Sequence, residues 1–162
     1  MPGERKNMSV LKAKRNESTA EYVNAADNIF AYTLWFCAKL SVRYQRLIGE
    51  RVMELSGKVL EYSEGANNIR ITDETTFKVR REYLLKARSS AMALDVYMYY
   101  VWKALMTNPQ GCFTNSKGET KSPKDAIEIL DKMAEKLGGD IDEFKNKVTN
   151  VLDADKKKFK KG

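Results

Sequence analysis

Apolar residues recur at alternating steps of three and four in four successive stretches of this chain, a periodicity that restricts it to helices packed along their lengths. In the last stretch the seam reads Ile127, Leu130, Ala134, Leu137, Ile141, Phe144, Val148 and Val151. A stripe of this kind buries itself only against other helices. Four of them joined mostly by short turns predict an all-α, antiparallel up-down-up-down four-helix bundle with left-handed, coiled-coil-like packing. The 162 residues suit one domain with a sizeable core.

Ser18 followed by Glu21 forms a capping box that opens the first helix. Its apolar face runs Tyr22, Ala26, Ile29, Thr33, Phe36 or Cys37, Leu40, Tyr44 and Leu47, with a break at Gly49. The second helix, from about Glu50 to Asn68, carries Val52, Leu55, Val59, Tyr62, Ala66 and Ile69, weakened by Gly57 and Gly65. Thr72, with Asp73 and Glu74 complementing the helix dipole, starts a third helix bearing Phe77, Leu84, Ala87, Ala91, Leu94, Met98, Val101 and Leu105. It reads as the longest of the four.

Asn108, Pro109 and Gly111 end that helix. Thr107 to Lys121 reads as a long polar loop, of a length that is usually functional or disordered, whose centre Asn115-Ser116-Lys117-Gly118 suits a small hairpin. Ser122, Pro123 and Asp125 then give a cap, a first-turn proline and a first-turn acid, a strong start for the fourth helix. Gly138-Gly139 predicts a kink or weak point within it.

The net charge of +7 resides in the ends of the chain. Residues 1–17, a basic N-terminal arm, hold Arg5, Lys6, Lys12, Lys14 and Arg15 against two acids, and residues 153–162, a Lys-rich C-terminal tail, hold Lys156, Lys157, Lys158, Lys160 and Lys161 against two. The bundle between them, residues 18–152, is close to neutral. Flexible basic ends favour polyanions through counterion release, and lysine-rich ends also serve simply as solvated extensions.

Chemistry is sparse. The chain has no histidine, hence no imidazole base or ligand, and neither a GxxxxGK[ST] loop nor a GxGxxG turn. No catalytic residue, metal site or cofactor is expected. The acids of the fourth helix interleave with its apolar seam and read as a solvated face. Cys37 in an apolar stretch and Cys112 in a polar loop suggest no disulfide, which fits a reducing cytoplasm. The polar residues Met1 to Asn7 and the short apolar run Ala91 to Trp102, interrupted by Asp95, predict neither export nor membrane insertion.

Two outward features remain. Residues 96–102 place aromatics on nearly every side of the third helix, more than one core seam can bury, so Tyr97, Tyr99, Tyr100 and Trp102 are candidates for an oligomer interface. Charge is also segregated. Lys39, Arg43 and Arg46, with Arg51 just beyond, close the first helix, and Lys78, Arg80, Arg81, Lys86 and Arg88 surround a single acid, Glu82, at the start of the third. Such a stripe is either an electrostatic footprint for RNA or DNA backbone or the partner of the acidic first half of the fourth helix. Asp95, alone among apolar residues, calls for an ion pair with an arginine of another helix.

The second helix ending in Glu64-Gly65, the polar turn through Arg70, and Phe77, Arg80, Arg81, Leu84, Ala87 and Ser90 on a long third helix before a capped fourth form a pattern. It resembles the four-helix-bundle family that includes proteins encoded in intervening sequences of bacterial 23S ribosomal RNA genes and the accessory variability determinant (Avd) of diversity-generating retroelements. The likeness spans roughly residues 20–106 and 123–152. Leu84-Leu85-Lys86-Ala87-Arg88, Ala93-Leu94-Asp95 and Asn108-Pro109-Gln110-Gly111 are closer to the accessory type. The resemblance implies a non-enzymatic, basic, ring-forming homo-oligomer, a pentamer in the accessory proteins, that binds a reverse transcriptase and its template RNA for mutagenic cDNA synthesis. It would place nucleic-acid or polymerase contacts on Arg43, Arg46, Arg51, Lys78, Arg80, Arg81 and Arg88. Lys12, Lys14, Arg15, Lys39, Lys86, Lys156, Lys157 and Lys158 join that surface by charge alone. The competing reading is a protein-interaction or structural bundle that assembles through the aromatic face without binding nucleic acid.

Overall fold

The computed structural model describes residues 20–161. These are almost wholly helical: α1 (Glu21–Lys39), α2 (Val42–Tyr44), a π-helical turn (Gln45–Gly49), α3 (Glu50–Asn67), α4 (Glu74–Thr107) and α5 (Pro123–Lys161). α2, the π-helical turn and α3 follow one another without a gap and form one rod, so the bundle has four.

α1 and α4 each pack against both α3 and α5. Arg80 meets Asp155 and Trp102 meets Asp131, so α4 and α5 run in opposite directions. Tyr62 meets Tyr83 while Arg51 and Leu55 lie beside Tyr97 and Tyr100, which orients α3 against α4. Tyr22 lies beside Asn67, and Phe30 beside Gly57. Glu21 lies near Lys147, and Tyr32 near Asp140. Each rod therefore opposes both of its neighbours.

The expected apolar faces of α1, α3 and α4 form the core, with Ile29, Phe36, Leu40, Val52, Val59, Leu84, Ala91 and Leu94 almost fully buried. On α5 the phase differs. Ala126, Leu130, Met133, Leu137, Ile141, Phe144, Val148 and Leu152 are buried, whereas Ile127 and Val151 are half-buried and Ala134 is exposed. This seam advances by about 3.7 residues per step, nearer the 3.6 of a straight helix than the 3.5 of a left-handed supercoil.

The first corner falls at Leu40–Ser41, not at Gly49. Two distant groups make it. The Ser41 amide donates to the Cys112 carbonyl at 2.8 Å and the Thr114 amide to the Lys39 carbonyl at 3.0 Å. Gln45 Nε2 donates to the carbonyls of Leu40, at 3.0 Å, and Cys37, at 3.4 Å, satisfying the end of α1. Phe113 packs edge-on against Phe36 with ring centroids 5.7 Å apart. Arg43 and Arg46 consequently belong to the second rod, and Leu47 faces solvent.

The segment 107–122, expected to be polar and functional or disordered, is pinned to the bundle by buried Cys112 and Phe113. Its centre does turn as a small hairpin, with a Thr114–Thr120 bridge and Gly118 at φ 79°. The Ser18 cap lies outside the described residues; α1 begins after Ala20, which makes no side-chain cap. At α4 the cap is Asp73, which accepts from the Thr76 amide at 2.8 Å while Thr76 Oγ1 accepts from the Asp73 amide. At α5 the Asp125 amide donates to Ser122 Oγ as the sequence implies.

α5 contradicts two expectations, its rank in length and where it ends. At 39 residues it exceeds the 34 of α4. It continues through Gly138-Gly139 without interruption, and residues 153–161 are its final turns, not a flexible tail. Lysines suit that end because they face the negative pole of the helix dipole. Phe159 stacks on Phe77 with centroids 4.4 Å apart and 8° between planes, holding the last turn against α4.

Glycines have opposite consequences at different places. A Cβ at Gly65 would sit 3.1 Å from the Tyr83 ring, so this residue sets how closely α3 approaches α4. A Cβ at Gly139 meets nothing within 4 Å. Gly139→Ala should therefore stabilise the fold by about 0.5–1 kcal/mol through helix propensity, while Gly65→Ala should gain none of this or lose stability. Urea denaturation followed by circular dichroism at 222 nm checks both.

Candidate nucleic-acid interface

The basic residues singled out by sequence separate into three groups in the structure. Lys12, Lys14 and Arg15 lie outside the described residues. A second group is neutralised at close range. Arg51 pairs with Glu54 at 3.1 Å, Lys78 with Glu74 at 2.9 Å and Lys86 with Glu82 at 2.9 Å, all one helical turn apart. Lys86 also stands over the Tyr62 ring. Such exposed pairs contribute little stability, but they remove net charge from the surface.

Arg80 is not a surface cation. Its side chain is only 16% exposed, and Nε donates to Asp155 Oδ2 at 2.6 Å. Its Nη1 donates to the carbonyls of Ala66, at 3.1 Å, and Ile69, at 3.4 Å, beyond the last turn of α3. Tyr22 is buried beside this pair; burial raises its phenol above the ordinary range, and the Arg80 charge opposes that rise. Arg88 is half-buried and donates to Thr149 Oγ1 at 3.2 Å, bridging α4 to α5. The α4 stripe thus meets the end of α5 and not its acidic first half, as the opposite directions of the two helices require.

The third group has no carboxylate partner among the described residues. Arg43 and Arg46 are exposed on the corner after α1, with Arg43 6.0 Å from the Tyr44 ring centre. Lys39 lies 3.4 Å over the Trp35 ring. Partial burial, then the charges of Lys121 and Lys132, hold the Lys39 ammonium below its ordinary pKa. Lys121 and Lys132 thus belong to one positive cluster with Lys39, a grouping that sequence reading missed because the three lie on different elements. Lys156, Lys157, Lys158 and Lys160 are exposed at the opposite end, with half-buried Arg81 on the facing helix. From Lys132 to Lys156 along α5 is about 36 Å at 1.5 Å per residue. Cationic groups thus occupy both ends of the bundle.

The aromatic segment divides as well. Tyr99 and Tyr100 are 54% and 61% exposed, as are Met92 and Val96 at 51% and 59%, whereas Tyr97 and Trp102 pack partly against the core. Asp95 makes no ion pair among the described residues, contrary to expectation, and lines a groove between α4 and α5.

Among the described residues no three acidic or cysteine side chains are grouped to hold a metal ion, and no helix is long and apolar enough to cross a membrane. Both cysteines are buried and free. Burial raises the thiol of Cys37 to about 11 and that of Cys112 above its usual value, the reverse of nucleophile activation. No protein-family model, curated protein or solved structure matches the chain.

Adjacent arginines should behave differently. Arg80→Ala strands Asp155 and two backbone carbonyls and should cost about 3 kcal/mol, whereas Arg81→Ala should cost under about 1 kcal/mol. Chemical denaturation of the two variants at neutral pH measures the difference.

Proposed function

We propose that the protein is a non-enzymatic nucleic-acid-binding accessory subunit that acts in the cytoplasm and holds phosphate backbone at the cationic ends of the bundle. One observation carries this reading: Arg43, Arg46, Lys156, Lys157 and Lys158 stand exposed without acidic partners among the described residues, while Lys78, Lys86 and Lys147 are each paired one turn away. Like charges held together without counter-charge favour a polyanion, whose binding releases condensed cations. Their placement on helices supplies a fixed spacing. The resemblance to retroelement accessory proteins gives the proposal its specific form, with template RNA as ligand and a reverse transcriptase as protein partner.

Single-stranded RNA should bind with an affinity that falls steeply with salt. Replacing Lys156, Lys157 and Lys158 together by Gln should reduce the slope of log K against log salt by about 2, at roughly 0.7 per lost phosphate contact. Lys78→Gln should leave the slope unchanged. Fluorescence anisotropy across a salt series reads both; a slope near zero for the unmodified protein refutes the proposal.

A second reading concerns assembly and rests on the outer face of α4. Met92, Val96, Tyr99 and Tyr100, each more than half exposed, form an apolar patch of the kind that marks protein interfaces. In this reading copies of the chain join through that patch, as five in the resembled accessory proteins. The double variant Val96→Asp, Tyr100→Asp should then elute as a monomer with an unchanged helical signal. Light scattering coupled to gel filtration decides; a monomeric parent protein removes this reading.

A further inference from the structure

Gly138-Gly139 sits mid-helix, where each glycine costs about 1 kcal/mol relative to alanine, yet α5 continues through the pair as one helix. The pair opens α5 on two sides. Gly139 lines a groove toward α1 with Tyr32, Trp35 and Asp140, and Gly138 lines one toward α4 with Asp95, Tyr99 and Trp102. Each groove thus combines a tyrosine, a tryptophan and an aspartate. On the α1 side these groups already hold cations of the chain itself: Lys136 donates to Asp140 at 3.0 Å and Lys39 covers Trp35 at 3.4 Å.

On the α4 side the same three residue types make no ion pair or cation–π contact among the described residues. Asp95, Tyr99 and Trp102 fall at steps of four and three, hence on one face of α4. The two rings stack with 26° between planes. Met98 and Met133 supply polarisable walls. Trp102 Nε1 donates to Asp131 Oδ1 at 3.4 Å, which ties the edge of this ring to α5.

We propose that this groove takes up an organic cation, a guanidinium or ammonium group on a short apolar stem. Asp95 supplies the counter-charge, the faces of Tyr99 and Trp102 attract the cation, and the apolar walls take the stem. At about 250 Å³ the cavity is smaller than the roughly 300–1,000 Å³ that holds drug-sized ligands, which suits a guest the size of one side chain. This site is independent of the phosphate-binding reading and opposite to it in charge.

The chain has two tryptophans, so in a Trp35→Phe background Trp102 fluorescence reports on the groove. The probes are benzylamine, agmatine and the tripeptide acetyl-Gly-Arg-Gly-amide, with benzyl alcohol and the citrulline tripeptide as uncharged counterparts. Saturable change with the cations alone, weakened about tenfold or more by Asp95→Asn and abolished by Gly138→Leu, supports the site. The Leu side chain fills the groove, and a Cβ at Gly138 meets nothing within 4 Å, so the helix tolerates it. Saturation by free amines only assigns a small-molecule guest, and saturation by the arginine tripeptide assigns a side chain protruding from a partner. Absence of saturation with all three cations, equal binding of benzyl alcohol, or indifference to Asp95→Asn overturns the proposal.

Discussion

One guanidinium holds the bundle together at the end where α1 begins. From α4, Arg80 reaches Asp155 of α5 and the carbonyls of Ala66 and Ile69 in and beyond α3, so three of the four rods meet at a single charged group. A half-satisfied version would be costly, because a low-dielectric setting penalises each unpaired partner. The clamp also explains why residues beyond the last buried core position remain helical. Asp155 fixes one turn, the Phe77–Phe159 stack fixes the next, and the lysines between them are displayed on a rigid rod.

Legibility of the fold follows from the range of the interactions involved. The core faces of α1, α3 and α4 could be read directly, since periodicity registers burial on a helix whatever it packs against. The Ser122 cap is equally local, whereas at α4 the cap falls on Asp73, one residue beyond the expected Thr72. The Leu40–Ser41 corner contains neither glycine nor proline and depends on Cys112, Phe113 and Thr114, some seventy residues away. Composition alone makes 153–162 look like a solvated tail; the partners that hold its helical turns, Arg80 against Asp155 and Phe77 against Phe159, lie far back in the chain. The phase of α5 was missed for a subtler reason, since alanine at 126 and 134 marks either side of the seam equally well.

The candidate interface was legible to the same degree. Pairs such as Glu74–Lys78 and Glu82–Lys86 are visible as spacings of four, and discounting them leaves a shorter, sharper set of free cations. Tertiary neutralisation is invisible at that level. Arg80 and Arg81 are adjacent and chemically identical, yet one is a structural clamp and the other is not, because a step of one residue turns a helix by about 100°. The Lys39, Lys121 and Lys132 cluster escaped sequence reading in the same way, each residue being unremarkable on its own element.

Gly138-Gly139 shows how a destabilising local choice marks a surface with its own chemistry. If these residues served only the bundle, alanine would fit and would favour the helix, since no neighbour approaches either position. Their missing side chains instead leave grooves on both flanks of α5, each holding an aspartate and two rings. On one flank Lys39 and Lys136 meet those groups. On the other, Asp95 stands beside Tyr99 and Trp102 with no ion-pair partner among the described residues. A four-rod bundle can carry such opposed chemistries because each outer face varies while the core seam stays unchanged: cationic groups at the ends, an apolar patch on α4 and an anionic aromatic groove between α4 and α5.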